Sequence, residues 1–184
     1  MSLRVISGIA RGRKLKSVPG DTTRPVMDRV KEALFNILAD DVLDSSWWDL
    51  FGGTGAIGIE ALSRGAAFVR FSDFNRLPVE IIKQNLAGSD FIKQAQVIRG
   101  DAYKLLGSTP ESQFDYLYIA PPQYKEMWSQ ALRIADKNSG WLSDGAWVIV
   151  QIHPKEFQEQ ELEHLVKFDE RRYGSTLLVF YENS

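Results

Sequence analysis

The sequence predicts an α/β fold on a mostly parallel sheet, with an antiparallel pair of strands at its C-terminal end. Three observations predict it. From residue 46 onward, short apolar runs alternate with segments of helical periodicity, the pattern of βαβ units. A glycine-rich stretch over 52–58 lies between the first run and the first helical segment. The last two runs are separated only by residues 171–174. Four residues cannot hold a crossover helix, so that pair must be antiparallel.

Residues 3–9 and 13–18 read as two short strands joined by the turn Ala10-Arg11-Gly12. Pro19-Gly20-Asp21 then breaks the chain. Thr23 is placed to cap a helix whose first turn holds Pro25. Val26, Val30, Ala33, Leu34, Ile37 and Leu38 follow at helical spacing, so an amphipathic helix is expected to reach residue 39. Strands are expected over 47–51, 67–72, 95–99, 114–119 and 146–152. Helices are expected over 55–64, 77–87 and 125–136, with a short turn near 102–106. Residues 165–170 and 175–181 form the closing pair. Repeats and low-complexity segments are absent.

With 184 residues the chain suits one domain, long enough to bury ~70% of the surface its unfolded form exposes. It contains no Cys, which removes thiolate zinc sites and cysteine nucleophiles and suits a reducing compartment. Its only histidines are His153 and His164, too few for a histidine-rich metal site, and His153 is read as packed or solvated. No apolar run approaches the ~18–20 residues that span a bilayer, and no secretory h-region opens the chain. A cytoplasmic protein with neither membrane nor metal is therefore expected.

The formal charge of −2 hides two opposed parts. Residues 1–31 hold eight bases, Arg4, Arg11, Arg13, Lys14, Lys16, Arg24, Arg29 and Lys31, against Asp21 and Asp28, a net of +6. The rest holds 14 bases against 22 acids, or −8. A basic arm on an acidic body suits a polyanion, because Lys and Arg release counterions condensed on phosphates. A solvated face is the alternative.

Gly53, Gly55 and Gly58 fit G-x-G-x-x-G between a strand and a helix, a spacing that brings a ligand close to backbone at a helix N-terminus. The same spacing serves nicotinamide dehydrogenases. Asp49, at the end of the preceding strand, argues against that, since a carboxylate there repels a pyrophosphate and suits a cationic or amine-bearing ligand. Asp73 and Asp101 end the next two strands. Asp73 could accept from ribose hydroxyls and Asp101 from an adenine amine, in the crevice where open α/β sheets bind ligands. Asp49, Phe51, Gly52, Gly53, Thr54, Gly55, Asp73, Asp101 and Ala102 are the expected cofactor set.

Ala120-Pro121-Pro122-Gln123-Tyr124 follows the strand 114–119. Two prolines make a stiff loop without N–H groups, and Tyr124 offers a face on which a splayed base can stack. Trp128 is a second aromatic candidate, whereas Trp47 and Trp48 lie in a strand and are read as core.

Across nearly its whole length the chain resembles the RsmD family of bacterial 16S ribosomal RNA guanine-N2 methyltransferases. The resemblance is carried by Arg11-Gly12-Arg13-Lys14-Leu15-Lys16, Thr23-Arg24-Pro25 and Asp28-Arg29-Val30-Lys31-Glu32-Ala33-Leu34-Phe35-Asn36-Ile37-Leu38. It continues through Asp49-Leu50-Phe51, the glycines, Glu60-Ala61-Leu62-Ser63-Arg64-Gly65-Ala66 and Tyr173-Gly174. It implies a Rossmann-like class I methyltransferase fold with a seven-stranded sheet, S-adenosylmethionine (SAM) as cofactor, and an N-terminal RNA-binding extension. Asp49 and the glycines would flank the amino-acid part of SAM, Asp73 its ribose and Asp101 its adenine. The basic hairpin would occupy 1–22 and the methyltransferase domain 23–184. The implied partner is 16S RNA, within a small-subunit particle, with guanine 966 as the target; separately, the acidic body carries no obvious long apolar interface, so a monomer is expected. Arg4, Arg11, Arg13, Lys14, Lys16, Arg24, Arg29 and Lys31 would grip the RNA.

The chain departs from the family at the expected catalytic loop, Ala120, Pro121, Pro122, Gln123 and Tyr124. The family has Asp or Asn before Pro-Pro and Tyr or Phe after it, where this chain has Ala120 and Gln123. In the family that polar side chain and a neighbouring carbonyl accept hydrogen bonds from the exocyclic amine. Losing such an acceptor costs ~3 kcal/mol in the transition state. Three outcomes follow: the carbonyls of Ala120 and Pro121 suffice, Gln123 supplies the acceptor, or the chain is a catalytically weakened RNA-binding module of the same fold.

Overall fold

In a computed structural model, residues 3–19, 28–122 and 126–184 are described. Thr23, Arg24, Pro25, Gln123 and Tyr124 lie outside them. The chain runs through β1 (Leu3–Arg4), β2 (Lys14–Leu15), α1 (Asp28–Leu38), β3 (Ser46–Asp49), α2 (Ala56–Ser63), β4 (Phe68–Asp73) and α3 (Arg76–Ser89). It continues through β5 (Ala95–Arg99), α4 (Ala102–Gly107), β6 (Phe114–Ile119), α5 (Met127–Lys137), β7 (Leu142–Ile152), β8 (Leu165–Tyr173) and β9 (Thr176–Asn183).

β3 to β9 form one seven-stranded sheet in the order β5-β4-β3-β6-β7-β9-β8. Strands β3 to β7 are parallel, and β9 enters antiparallel between β7 and β8. The closing pair is thus antiparallel, as the short connection requires. That connection is tighter than the sequence suggests: only Gly174 and Ser175 separate the strands, and Gly174 has φ +58°. β7 begins four residues before its expected start, because Ser143-Asp144-Gly145 reads as a loop while Gly145 carries a left-handed φ of +74° within the strand.

Each face of the sheet has its own core. On one face α1, α2 and α3 pack over Trp47, Val69, Phe71 and Tyr118. Trp47 stacks between Phe35 and Tyr116. On the other face α4 and α5 cover Trp48, Leu117, Val148 and Val150. There the guanidinium of Arg70 lies 4.9 to 5.2 Å from the ring centres of Trp48, Phe114 and Trp141 and pairs with Glu111 at 2.6 Å, which satisfies a cation within the sheet.

The N-terminal hairpin has only two residues in each strand, shorter than the expected 3–9 and 13–18. Its backbone donors explain the difference. Ile6 and Ser7 donate to the Glu60 carboxylate, Ile9 donates to the Ser63 carbonyl, and Ala10 donates to Ser63 Oγ. Val5 still pairs with Arg13 and Gly12 across the hairpin, but from Ile6 to Ala10 these donors go to α2 rather than to the partner strand. Leu3, Val5, Ala10 and Leu15 join the α1–α3 core. Among the described residues no helix is long and apolar enough to cross a membrane.

Candidate cofactor and RNA site

The strand order sets the place of the site. From β3 the chain builds outward to β4 and β5, then returns to lay β6 and β7 on the other side. The carboxyl ends of β3 and β6 bound the crevice that this reversal opens. Asp49 ends β3 and pairs in register with Phe71 and Tyr118. Asp73 ends β4, Asp101 lies two residues beyond β5, and Ala120-Pro121-Pro122 follows β6. The structure thus brings the three acids and the proline loop to one end of the sheet.

Asp49 is buried, and its pKa is pushed up to about 8. Burial is the main cause, the N–H of Gly58 in the first turn of α2 opposes it, and the negative charge of Asp73 adds to it. Tyr118 is likewise pushed well above the usual tyrosine range, by burial and then by Asp49. Its hydroxyl donates to Gln151 Oε1.

The glycines have separate reasons. Gly53 and Gly55 have φ of +57° and +82°, a conformation that penalises other residues. A Cβ on Gly58 would lie 2.2 Å from the Phe71 ring, so this glycine lets α2 sit close on β4. At Gly53 a Cβ would meet no described atom within 4 Å, so the turn faces open space. Asp73 secures this turn: its Oδ2 accepts from Gly53 N–H at 3.1 Å and its Oδ1 from Asn75 N–H at 3.0 Å. Gly52 N–H donates to the Ser72 carbonyl at 2.7 Å. Asp101 caps α4, with Oδ1 accepting from Tyr103 and Lys104 N–H at 2.8 and 3.2 Å. Ala102 opens that helix, and Phe51 and Thr54 lie half-buried in the glycine turn.

The expected RNA-gripping cations divide. Arg4, Arg11, Arg13, Lys14, Lys16 and Arg29 are exposed. Arg4 pairs with Asp28 at 3.4 Å, and Lys16 Nζ donates to Gln84 Oε1 at 2.9 Å. Lys31 is a correction. Its side chain is 1% exposed, and its ammonium binds Glu60 at 3.2 Å and the Arg4 carbonyl at 2.7 Å. Position 31 falls on the apolar stripe of α1 beside Leu34 and Phe35, so its charge serves a buried pair and not a polyanion. Trp128 is buried against Phe157 and offers no face to a base. His153 caps the short turn that follows β7, its Nδ1 accepting from Lys155 N–H.

The family model described as "Conserved hypothetical protein 95" matches residues 3–182. A Haemophilus influenzae protein named "Ribosomal RNA small subunit methyltransferase D" is 36% identical over 81% of this chain and 78% of its own. This chain belongs to the RsmD family. A Bacillus subtilis protein named "Putative rRNA methyltransferase YlbH" is 36% identical over 98% of each chain. An Escherichia coli structure described as "Putative methyltransferase yhhF" superposes with a TM-score of 0.88 at 30% identity, covering 100% of this chain and 99% of that one. The fold is the class I Rossmann-like fold of SAM-dependent methyltransferases.

The residues of this RsmD-family chain fit that cofactor. A buried carboxylate whose ionisation is opposed by burial gains most from a nearby cation, and SAM carries both a sulfonium and an ammonium. Beside Gly53 no described atom within 4 Å of a Cβ position blocks the approach of a ligand to the backbone. Within the family pattern Ala120 stands out: its side chain is half-buried against the α1–α3 core and carries no polar atom.

Glu60 and Ser63 carry the resemblance, but their part in holding the hairpin was not read from the sequence, and Asn85 was not singled out at all. Each is buried, and Asn85 lies on α3 among the buried Ile82 and Leu86. A polar residue on an apolar stripe is the signal that marks it.

Proposed function

We propose that the chain methylates the exocyclic N2 of a guanine in 16S ribosomal RNA, using SAM, with guanine 966 of a small-subunit particle as the substrate nucleotide. The observation that supports this best is the convergence of buried Asp49, the Asp73-held glycine turn and the Pro121-Pro122 loop at one switch point. The names of the RsmD-family relatives support ribosomal RNA as the substrate class.

When bound, SAM supplies an already activated methyl group, so little acid–base help is required. The chain's own residues bind, orient and shield. Asp49 would face the cationic amino-acid end, Phe51, Gly52, Gly53, Thr54 and Gly55 would line it, Asp73 would hold the ribose, and Asp101 with Ala102 the adenine. The carbonyls of Ala120 and Pro121 would accept the amine's hydrogens, holding its lone pair toward the methyl group, with Gln123 as a further acceptor and Tyr124 as a stacking wall. Orientation of this kind supplies most of the acceleration. The displaced amine proton passes to solvent. The hairpin within 1–22 would grip the RNA through its exposed cations, and 23–184 would carry the chemistry.

The test is incubation with tritiated SAM and unmodified small-subunit particles, followed by digestion of the RNA to nucleosides. Label in N2-methylguanosine is expected. Intact RNA binding without label would favour the second reading, a weakened RNA-binding module, which rests on Ala120.

A further inference from the structure

Asn85 is buried on α3, and its amide is engaged by backbone from two other segments. Oδ1 accepts from Lys16 N–H at 2.7 Å. Nδ2 donates to the Lys16 carbonyl at 3.1 Å and to the Thr54 carbonyl at 2.8 Å. The partners set the orientation of the amide, since one side presents an N–H and the other two carbonyls. Both amide donors are used, one on the segment leaving the basic hairpin and one on the glycine turn. Lys16 Nζ reaches Gln84, the neighbour of Asn85, so its side chain is also held along α3.

Thr54 lies between Gly53 and Gly55, both with left-handed φ. A turn built from such residues has wide conformational freedom. Beyond the backbone bonds of Gly52 to Ser72 and of Gly55 to Gly52, two side chains from other elements hold it: Asp73 holds the N–H of Gly53 and Asn85 holds the carbonyl of Thr54. The second tie is shared with the hairpin. If the hairpin segment lifts, two of the three hydrogen bonds of a buried amide are lost, and its grip on Thr54 loosens. If the turn shifts, the amide must tilt away from Lys16.

We propose that Asn85 is a positioning residue that couples the cofactor turn to the RNA-binding hairpin, so that RNA on the hairpin tightens SAM binding and SAM tightens RNA binding. This rests on the SAM and RNA reading given above. Two states differ in the coupling: hairpin docked with all three hydrogen bonds made, and hairpin lifted with only the Thr54 bond. Cations on the docked hairpin present a fixed array to phosphates, and the docked hairpin holds the turn in one shape. Linkage makes the two effects equal in size.

The experiment uses S-adenosylhomocysteine, which binds without turnover, and unmodified small-subunit particles as the RNA ligand, with calorimetry on the full chain. In the unaltered protein, saturating RNA is expected to lower the Kd for S-adenosylhomocysteine by about fivefold or more, with the same factor in the reverse order of addition. Asn85→Asp keeps an acceptor for the Lys16 N–H but turns a carboxylate on two carbonyls. Its coupling factor is expected to fall to within about twofold of unity. Hydrogen exchange on the unaltered protein reads the same link without a variant: S-adenosylhomocysteine alone should slow exchange at residues 14–18. Should Asn85→Asp not fold, that measurement decides. Unaltered coupling in a folded Asn85→Asp variant, or unchanged exchange at 14–18, overturns the proposal. If the unaltered protein binds both ligands independently, the coupling fails while the SAM and RNA reading stands. If it binds neither, that reading fails and the coupling falls with it.

Discussion

The carboxylate of Asp73 accepts the backbone N–H of Gly53 at 3.1 Å, so the acid that ends β4 sets the shape of the turn that follows β3. Asp73 is therefore expected to act on cofactor affinity in two ways, by touching the ligand and by holding the turn. Asp73→Ala should lower SAM affinity about tenfold or more and cost ~1.5–3 kcal/mol of stability, the range for hydrogen bonds to charged groups. Calorimetric titration and denaturant unfolding check the two effects. Unchanged affinity in a folded variant would remove Asp73 from the site.

Asp49 should make the protein less stable as pH rises. Its folded pKa of about 8 lies above the ordinary 3.8, so the folded state holds this proton more tightly than the unfolded chain does. The stabilisation is complete below pH ~4 and is lost as pH climbs through 8. Asp49→Asn keeps an acceptor for the Gly58 N–H and removes the charge. Its melting temperature is expected to exceed that of the unaltered protein by a margin that widens from pH 5 to pH 8.5, each kcal/mol being worth about 2–4 °C at this size. Its SAM binding should be weakened. A margin that stays flat with pH would count against the assignment.

A cation bound beside Asp49 should also expel its proton. Near pH 7, SAM binding is expected to release a fraction of a proton, read as a dependence of the binding enthalpy on the ionisation enthalpy of the buffer. Asp49→Asn residual binding should show none.

Lys31 and Glu60 are both buried, 3.2 Å apart. Lys31→Met leaves Glu60 with Arg64 but without its buried cation and is expected to cost about 3–5 kcal/mol. It should leave the salt dependence of RNA binding unchanged. Alanine at Arg11, Arg13 or Lys14 should do the reverse: stability within ~0.5 kcal/mol, and a salt slope reduced by about one per charge removed. Removing residues 1–20 would confuse the two effects, because Leu3, Val5, Ala10 and Leu15 leave the core with the hairpin.

Ala120→Asn should restore an acceptor beside the proline pair. If that acceptor limits the rate, kcat rises by about tenfold or more with the KM for SAM little changed. An equal or lower kcat in a folded variant means that backbone carbonyls already suffice.

The sequence by itself determined the sheet, the glycine turn, the three acids and the basic arm. These follow from local rules: apolar runs alternating with helical segments, a connection of four residues that cannot cross over, and glycine spacing between strand and helix. Asp49, Asp73 and Asp101 were legible because strand ends in a parallel sheet converge without any knowledge of side-chain packing. Only the tertiary structure decided which polar groups are buried. Lys31 reads as one cation among eight until α1 turns it onto Glu60. Asn85 reads as one polar residue of a helix until the hairpin and the glycine turn both settle on it. The short strands of the hairpin have the same origin, since its donors go to Glu60 and Ser63, residues 53 or more positions away. Burial and partner choice over such separations depend on how whole elements pack, and a linear pattern does not encode that directly.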